Sequence, residues 1–273
     1  MTQLQIGVLG AGNMGSAIMR GLLKARHVEP GAVCASDVSE ARLAELNREL
    51  GIATTTSNRQ LLERSDVVLL AVKPQMVGPV MSEVGAAWRS SQLLVSILAG
   101  VSTEVLQSSL PASARVIRTM PNTPAMVLEA ATGVARGANA TAEDVATALG
   151  MFGCIGVAVE VAESMLDAVT GLSGSGPAFV LLALEAMADG AVRVGMPRAM
   201  ALQLAAQTMA GTARMVLQTG EHPAVLKDRV TSPAGTTIAG LMELEKASAR
   251  HAFSSAVARA AERSAELGRA SRK

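Results

Sequence analysis

Ile6-Gly7-Val8-Leu9-Gly10-Ala11-Gly12-Asn13-Met14-Gly15 decides how this chain is read. A short apolar run ends at three spaced glycines, and a helical pattern continues through Leu22 and Leu23. Strand, G-x-G-x-x-G and helix in that order form the context that a dinucleotide-binding fingerprint requires. Gly10 makes the tight turn, Gly12 lets backbone approach a pyrophosphate, and Gly15 lets the helix pack on the strand. Gly10, Ala11, Gly12, Asn13, Met14 and Gly15 are therefore expected to line a cofactor site.

Working outward, residues 32–36, 52–55, 66–72, 93–98 and 115–119 read as further strands. The run Asp66-Val67-Val68-Leu69-Leu70-Ala71-Val72 is apolar without alternation, as a parallel strand covered on both faces must be. It stops at Lys73-Pro74, at the carboxyl end where a doubly wound sheet carries its ligand. Lys73 reads equally as a cofactor neighbour or as a plain loop lysine. Ala99-Gly100 is small enough to sit beneath a cofactor ring. Pro121-Asn122-Thr123-Pro124 continues neither helix nor strand, so it forms a rigid loop of the kind that positions ligands. Residues 132–135 and 156–161 add strands, with a helix over 141–152 between them.

Ser36-Asp37 closes the second strand and gives two opposed signals. Asp37 could hydrogen-bond an adenosine 2′-hydroxyl and favour NAD. Ser36 with Asn58 could instead accept a 2′-phosphate while Asp37 turns outward. A third reading makes Asp37 a capping residue of the helix over 39–50.

From residue 163 onward strand signals vanish, which divides the chain into 1–162 and 163–273. A helix with Pro177 at its first position runs to residue 194 and is apolar nearly all round. Such a helix must be buried between helices or in a subunit interface. Residues 197–217 form another, with Ala201, Ala205 and Gly211 permitting close contact. This half is expected to complete its core by dimerising. Further on, Thr231-Ser232-Pro233-Ala234-Gly235-Thr236-Thr237 reads as a helix start, capped by Ser232 with Pro233 at the first helical position. Amides of Gly235, Thr236 and Thr237 beside two hydroxyls would make a small anion site, most simply for a carboxylate. An ordinary well-capped helix is the competing reading.

Composition narrows the classes. Lys and Arg total 24 against 23 Asp and Glu, a net charge of +1, so no global field draws nucleic acid. With no Tyr, one Trp and three Phe, aromatic stacking of bases is implausible. Cys34 and Cys154 are too few for a disulfide framework, and three scattered histidines make no metal-ligand pattern. No signal peptide is visible ahead of the first strand, and Glu185, Asp189 and Arg193 argue against a membrane span in the longest apolar segment. A cytoplasmic location is expected.

Over essentially its whole length the chain closely resembles the pyrroline-5-carboxylate reductases. The resemblance rests on the glycine fingerprint, Ala71-Val72-Lys73-Pro74, Pro121-Asn122-Thr123-Pro124, Leu172-Ser173-Gly174-Ser175-Gly176-Pro177-Ala178 and the stretch from Val230 to Leu241. It implies an α/β fold class, an N-terminal Rossmann-type doubly wound sheet followed by an all-α dimerisation domain. It implies reduction of 1-pyrroline-5-carboxylate to proline with NADP(H) preferred and NAD(H) also admitted. Its cofactor contacts map onto Gly10 to Gly15, Ser36, Asn58, Ala71, Val72, Lys73, Pro74 and Ala99, with Asn122 counted among them. Its substrate carboxylate site maps onto Ser232, Gly235, Thr236 and Thr237, with Thr237 at the ring nitrogen. The implied partner is a second copy, a homodimer with a decamer of dimers as a further level of assembly, and neither nucleic acid nor membrane.

Two departures stand out. Ala234 and Phe179 occupy positions where the family usually has Gly and Tyr, so position 234 is expected to adopt a conformation open to a Cβ. Among alternatives, a β-hydroxyacid dehydrogenase needs a lysine on the helix that begins at Pro177, and that helix has none. A non-catalytic nucleotide-sensing dimer would leave Ser232, Thr236 and Thr237 without a purpose.

Overall fold

The apolar runs pair into one eight-stranded sheet in the computed structural model, which describes residues 4–270. Its strands are β1 (Ile6–Leu9), β2 (Val33–Ser36), β3 (Ala53–Thr55), β4 (Val67–Leu70), β5 (Leu93–Ser96), β6 (Arg115–Met120), β7 (Ala130–Arg136) and β8 (Gly156–Glu160). The order is β3-β2-β1-β4-β5-β6-β7-β8. Strands β1 to β6 are parallel, β7 runs antiparallel to β6, and β8 lies parallel to β7. The chain winds outward from β1 through β2 to β3, then returns to β4 on the other side of β1. That reversal opens a crevice at the carboxyl ends of β1 and β4, where open α/β sheets receive ligands.

Helices α1 (Asn13–Lys24), α2 (Glu40–Leu50), α3 (Asn58–Arg64), α4 (Val77–Ala87), α5 (Thr103–Ser108) and α6 (Ala142–Gly153) connect these strands. They explain the missing alternation in the strands. Val67 and Leu69 enter one buried cluster with Ile18, Leu22 and Phe152, while Val68 and Leu70 enter another with Leu61, Val84 and Leu106. Both faces of the sheet are covered, so neighbouring residues are apolar alike.

After β8 come a short helix α7 (Leu166–Val169) and a π-helical turn over Thr170–Gly174. Then follow α8 (Gly176–Arg193), α9 (Arg198–Thr219), α10 (Pro223–Arg229), α11 (Thr236–Lys246) and α12 (Ala249–Ala270). Two compact units result among the described residues: 4–175 with 259–270, and 176–258. Within the first unit, Glu163 accepts hydrogen bonds from the Thr103 amide (2.8 Å) and hydroxyl and from Arg118 (3.2 Å). Burial alone would push its carboxyl up, but these donors hold it below the usual carboxylate range.

The second unit has a small core of its own, Ala188, Ala201 and Ala205 with Leu184, Ala191, Val192 and Met196 beside it. Much of α8 lies open: Leu181 and Leu182 are 62% and 67% exposed. Neither of the two burials expected for this helix covers that face within the described residues.

Two helix starts differ from expectation. Helix α11 begins at Thr236 with Gly235 as its N-cap, not at Ser232 and Pro233. The Gly235 amide donates to the Ser232 carbonyl at 3.1 Å, which closes a turn ahead of the helix. Ser-Pro followed by small residues suits a turn as well as a cap. Helix α8 begins at Gly176, so Pro177 is its second residue, and the Ser173 hydroxyl donates back to the Val169 carbonyl at 3.0 Å.

Candidate active site

The fingerprint loop is built from close backbone approaches. Gly10 has φ +98°, and a Cβ there would lie 2.6 Å from the Ala71 carbonyl oxygen. A Cβ on Gly15 would lie 2.4 Å from the Gly10 carbonyl oxygen. Both glycines are therefore needed by the fold. Gly12 differs: it is exposed, it is the N-cap of α1 with no side chain capping it, and a Cβ there would meet nothing within 4 Å. The open space faces the positive end of α1 beside the exposed Asn13 and half-buried Met14. It has the room and the polarity that a pyrophosphate requires, so the residues fit a dinucleotide.

At the end of β2, the buried Ser36 hydroxyl donates to Asn58 Oδ1 at 2.7 Å, and Asn58 Nδ2 donates to Glu83 Oε2 at 2.7 Å. The structure thus brings together the pair singled out for a 2′-phosphate. It adds the Glu83 carboxylate from α4, which no local pattern places there. Asp37 is turned inward. Its Oδ2 accepts the Ala11 amide at 2.8 Å and its Oδ1 accepts the Ser39 amide at 3.0 Å. Ser39 caps α2, so of the three readings of Asp37 the capping one comes nearest, although Asp37 supports the turn ahead of that cap. Arg42, passed over in the sequence, reaches the same loop. Its Nε donates to the Ala11 carbonyl at 3.1 Å and its Nη2 to Ser16 Oγ at 2.8 Å. A basic residue in the first turn after β2 was the signal available for it.

Ala71 follows directly on β4, and its amide donates to the Leu9 carbonyl at 2.8 Å, which seats it against the fingerprint. Val72 packs on the second core cluster, Lys73 is exposed, and Pro74 opens a short 3-10 turn. Ala99 is exposed on the loop after β5, followed by Gly100 at φ +74°. Asn122 is largely buried with its amide in use. Nδ2 donates to the Ser173 carbonyl at 2.9 Å, and Oδ1 accepts the Ala131 amide at 3.0 Å. It ties the two-proline loop to β7 and to the π-helical turn.

Ser232, Gly235, Thr236 and Thr237 belong to the second unit and surround the start of α11. A Cβ on Gly235 would lie 2.2 Å from Ser232 Oγ, so the serine hydroxyl lies over the glycine that caps the helix. No side chain caps that helix start by a hydrogen bond. The amides and hydroxyls of Thr236 and Thr237 stand at its positive end, as an anion site requires. Ala234 has φ +54°, in the left-handed region, contrary to the expectation of a backbone open to a Cβ. That conformation costs an L-residue about 1–2 kcal/mol, offset in part by the extra unfolded-state freedom of glycine. Ala234→Gly is expected to stabilise the protein by about 0.5–1 kcal/mol, read as a rise in the denaturant midpoint at constant slope.

Comparison with known proteins fits this geometry. A family profile described as pyrroline-5-carboxylate reductase dimerisation matches residues 163–267, and one described as NADP oxidoreductase coenzyme F420-dependent matches residues 5–100. A pyrroline-5-carboxylate reductase from Methanosarcina acetivorans is 53% identical over 98% of this chain and 100% of its own length. The chain belongs to the pyrroline-5-carboxylate reductase family. A solved structure of a pyrroline-5-carboxylate reductase from Coxiella burnetii superposes with a TM-score of 0.92 at 33% identity, covering 97% of this chain and 99% of that one. Plasmodium falciparum pyrroline carboxylate reductase, solved with NADP bound, superposes with a TM-score of 0.87 at 30% identity, covering 98% and 99%.

The open apolar surface of α8 falls within the part of the chain that the pyrroline-5-carboxylate reductase dimerisation profile matches. Among the described residues one helical stretch, Glu163–Arg193, is long and apolar enough to cross a membrane by length and composition. It lies inside the segment matched by the dimerisation profile. Val180, Leu181 and Leu182, all exposed, lie within the segment matched by the dimerisation profile.

Proposed function

We propose that this protein reduces 1-pyrroline-5-carboxylate to proline, the last step of proline synthesis, with NADP(H) as the preferred cofactor and NAD(H) admitted. The observation that carries the reading is the pair of helix starts without a side-chain cap, one per unit: α1 behind Gly12, and α11 behind Gly235. One suits a pyrophosphate and the other a carboxylate. Sequence identity of 53% over 98% of the chain supports the same reading. NADP(H) is preferred because Ser36 and Asn58 stand together at the end of β2, and because a relative was solved with NADP bound.

When bound, the reduced nicotinamide supplies the hydride that C5 of the cyclic imine accepts. Gly10 to Gly15 hold the pyrophosphate, Ser36 and Asn58 the adenosine end, and Ala71 to Pro74 with Ala99 border the nicotinamide. Asn122 adds to this set by holding its loop in place. Ser232, Gly235, Thr236 and Thr237 grip the substrate carboxylate and so fix which ring atom is presented, an orientation effect. The Thr237 hydroxyl hydrogen-bonds the ring nitrogen. A threonine is a weak acid, so the proton on that nitrogen arrives with the substrate or through a water. Residues 1–162 serve the cofactor and residues 163–273 serve substrate and dimerisation. A second copy covers the open face of α8, giving a homodimer that can assemble further toward a decamer of dimers. Neither nucleic acid nor membrane is a partner, and the enzyme works in the cytoplasm.

The test is NADPH oxidation by purified protein on addition of 1-pyrroline-5-carboxylate, with proline as the product. Activity with a β-hydroxyacid in place of the imine, or none with either, would defeat the reading.

A further inference from the structure

The peptide groups on both sides of Ala11 are pinned from the protein side. Its amide donates to Asp37 Oδ2 at 2.8 Å. Its carbonyl accepts from Ser16 Oγ at 3.0 Å and from Arg42 Nε at 3.1 Å. Ala11 itself is fully buried and Ser16 is too, so these groups have no water to replace the bonds. A trans peptide is planar, with its N–H directed opposite to its C=O. Holding the Ala11 carbonyl against Ser16 and Arg42 therefore turns the Gly12 N–H the other way, at a helix start that no side chain caps and where a Cβ on Gly12 would meet nothing within 4 Å. Gly12 alone, free in φ and ψ, would not hold that direction.

We propose that Asp37 is a positioning residue of the fingerprint loop and not a ribose ligand. With Arg42 and Ser16 it presets the Gly12 amide for the pyrophosphate, and it leaves the choice between NADPH and NADH to Ser36 and Asn58. This rests on the dinucleotide-binding reading above and deepens it. An acidic residue at the end of the second strand would ordinarily be taken as selecting NADH through the ribose hydroxyls. Here its inner oxygen is committed to a buried amide that is costly to leave unpaired, and the other holds the Ser39 amide at 3.0 Å. The pyrophosphate is common to both cofactors, so loss of the clamp weakens them alike.

Dissociation constants for NADPH and for NADH, measured by nicotinamide fluorescence on wild type, Asp37→Ala and Asp37→Asn, test this. Asp37→Ala is expected to weaken both cofactors about tenfold, with their ratio within about threefold of wild type. Asp37→Asn keeps the shape and one acceptor oxygen but loses the charge. It is expected to recover part of the affinity for both, again without altering the ratio, and it serves as the folded comparison should the alanine variant fail to fold. The turnover number at saturating cofactor stays near that of wild type, which separates positioning from a general loss of structure. A tenfold gain of NADPH over NADH in Asp37→Asn would overturn the proposal, as would unchanged affinity for both in Asp37→Ala. Wild type that binds neither dinucleotide sinks this inference together with the functional reading. Wild type that binds but does not reduce the imine sinks only the activity.

Discussion

Gly12→Ala is expected to fold as well as wild type and to lose cofactor affinity by about 10–100-fold. The two effects separate because of where the new methyl goes. At φ −67° and ψ −174° the backbone of Gly12 is one that alanine adopts freely, and its Cβ would meet no protein atom within 4 Å. Nothing in the folded chain resists it. The methyl instead occupies the space where backbone has to approach the pyrophosphate, and it displaces contacts worth about 1.4–2.8 kcal/mol on a tenfold to hundredfold scale. Gly10→Ala is the contrasting case, since its methyl would collide with the Ala71 carbonyl at a positive φ and the fold itself would suffer. Thermal unfolding alongside fluorescence titration of NADPH distinguishes the two. An unchanged dissociation constant in Gly12→Ala would place the cofactor elsewhere.

Thr237→Ala is expected to lower kcat/KM for the imine about 10–100-fold while the dissociation constant for NADPH stays put. The hydroxyl is one hydrogen-bond partner at the site where charge on the ring nitrogen changes, accepting from the N–H of a protonated imine or donating to a neutral one, and loss of one preorganised donor typically costs about 10²–10³ when water is excluded. Because the proton need not come from the threonine, the expected loss falls below that range, at about 10–100-fold. Thr237→Ser retains the hydroxyl and is expected to keep most of the rate. Thr237 is half-buried at the second residue of α11, so removal of its hydroxyl and methyl disturbs no core packing. If kcat and KM for the imine are both unaffected in Thr237→Ala, the assigned role is wrong.

How far the chain could be read in advance differs element by element. The β1–glycine–α1 unit was legible because each of its signals is local: an apolar run, three glycines at fixed spacing, a helical period. The central strands were legible because burial on both faces leaves no alternation, which is itself a pattern. The seven-residue helix Asn58–Arg64 was not, since two turns carry too little periodicity to stand out. The start of α11 was misplaced for a different reason. Ser232-Pro233 serves a turn or a helix cap equally, and what decides between them is the left-handed Ala234, a conformation that alanine gives no hint of. Asp37 shows the limit most clearly. Its partner amide lies 26 residues upstream, and no local pattern records a bond between a strand end and the loop of a neighbouring strand. Arg42 was missed on the same ground, although its place one turn after β2 was a usable sign. The exposed side of α8 was the reverse case. Its apolar character was plain, and only the packing of one chain could tell that this chain does not cover it.

The most direct test of the central claim is the reduction of 1-pyrroline-5-carboxylate by the purified protein with NADPH carrying deuterium at the transferable C4 position. The account predicts proline with one deuterium, located at C5 by mass spectrometry or NMR, formed in step with NADPH oxidation. Proline without the label, or NADPH consumption that yields no proline, would contradict it.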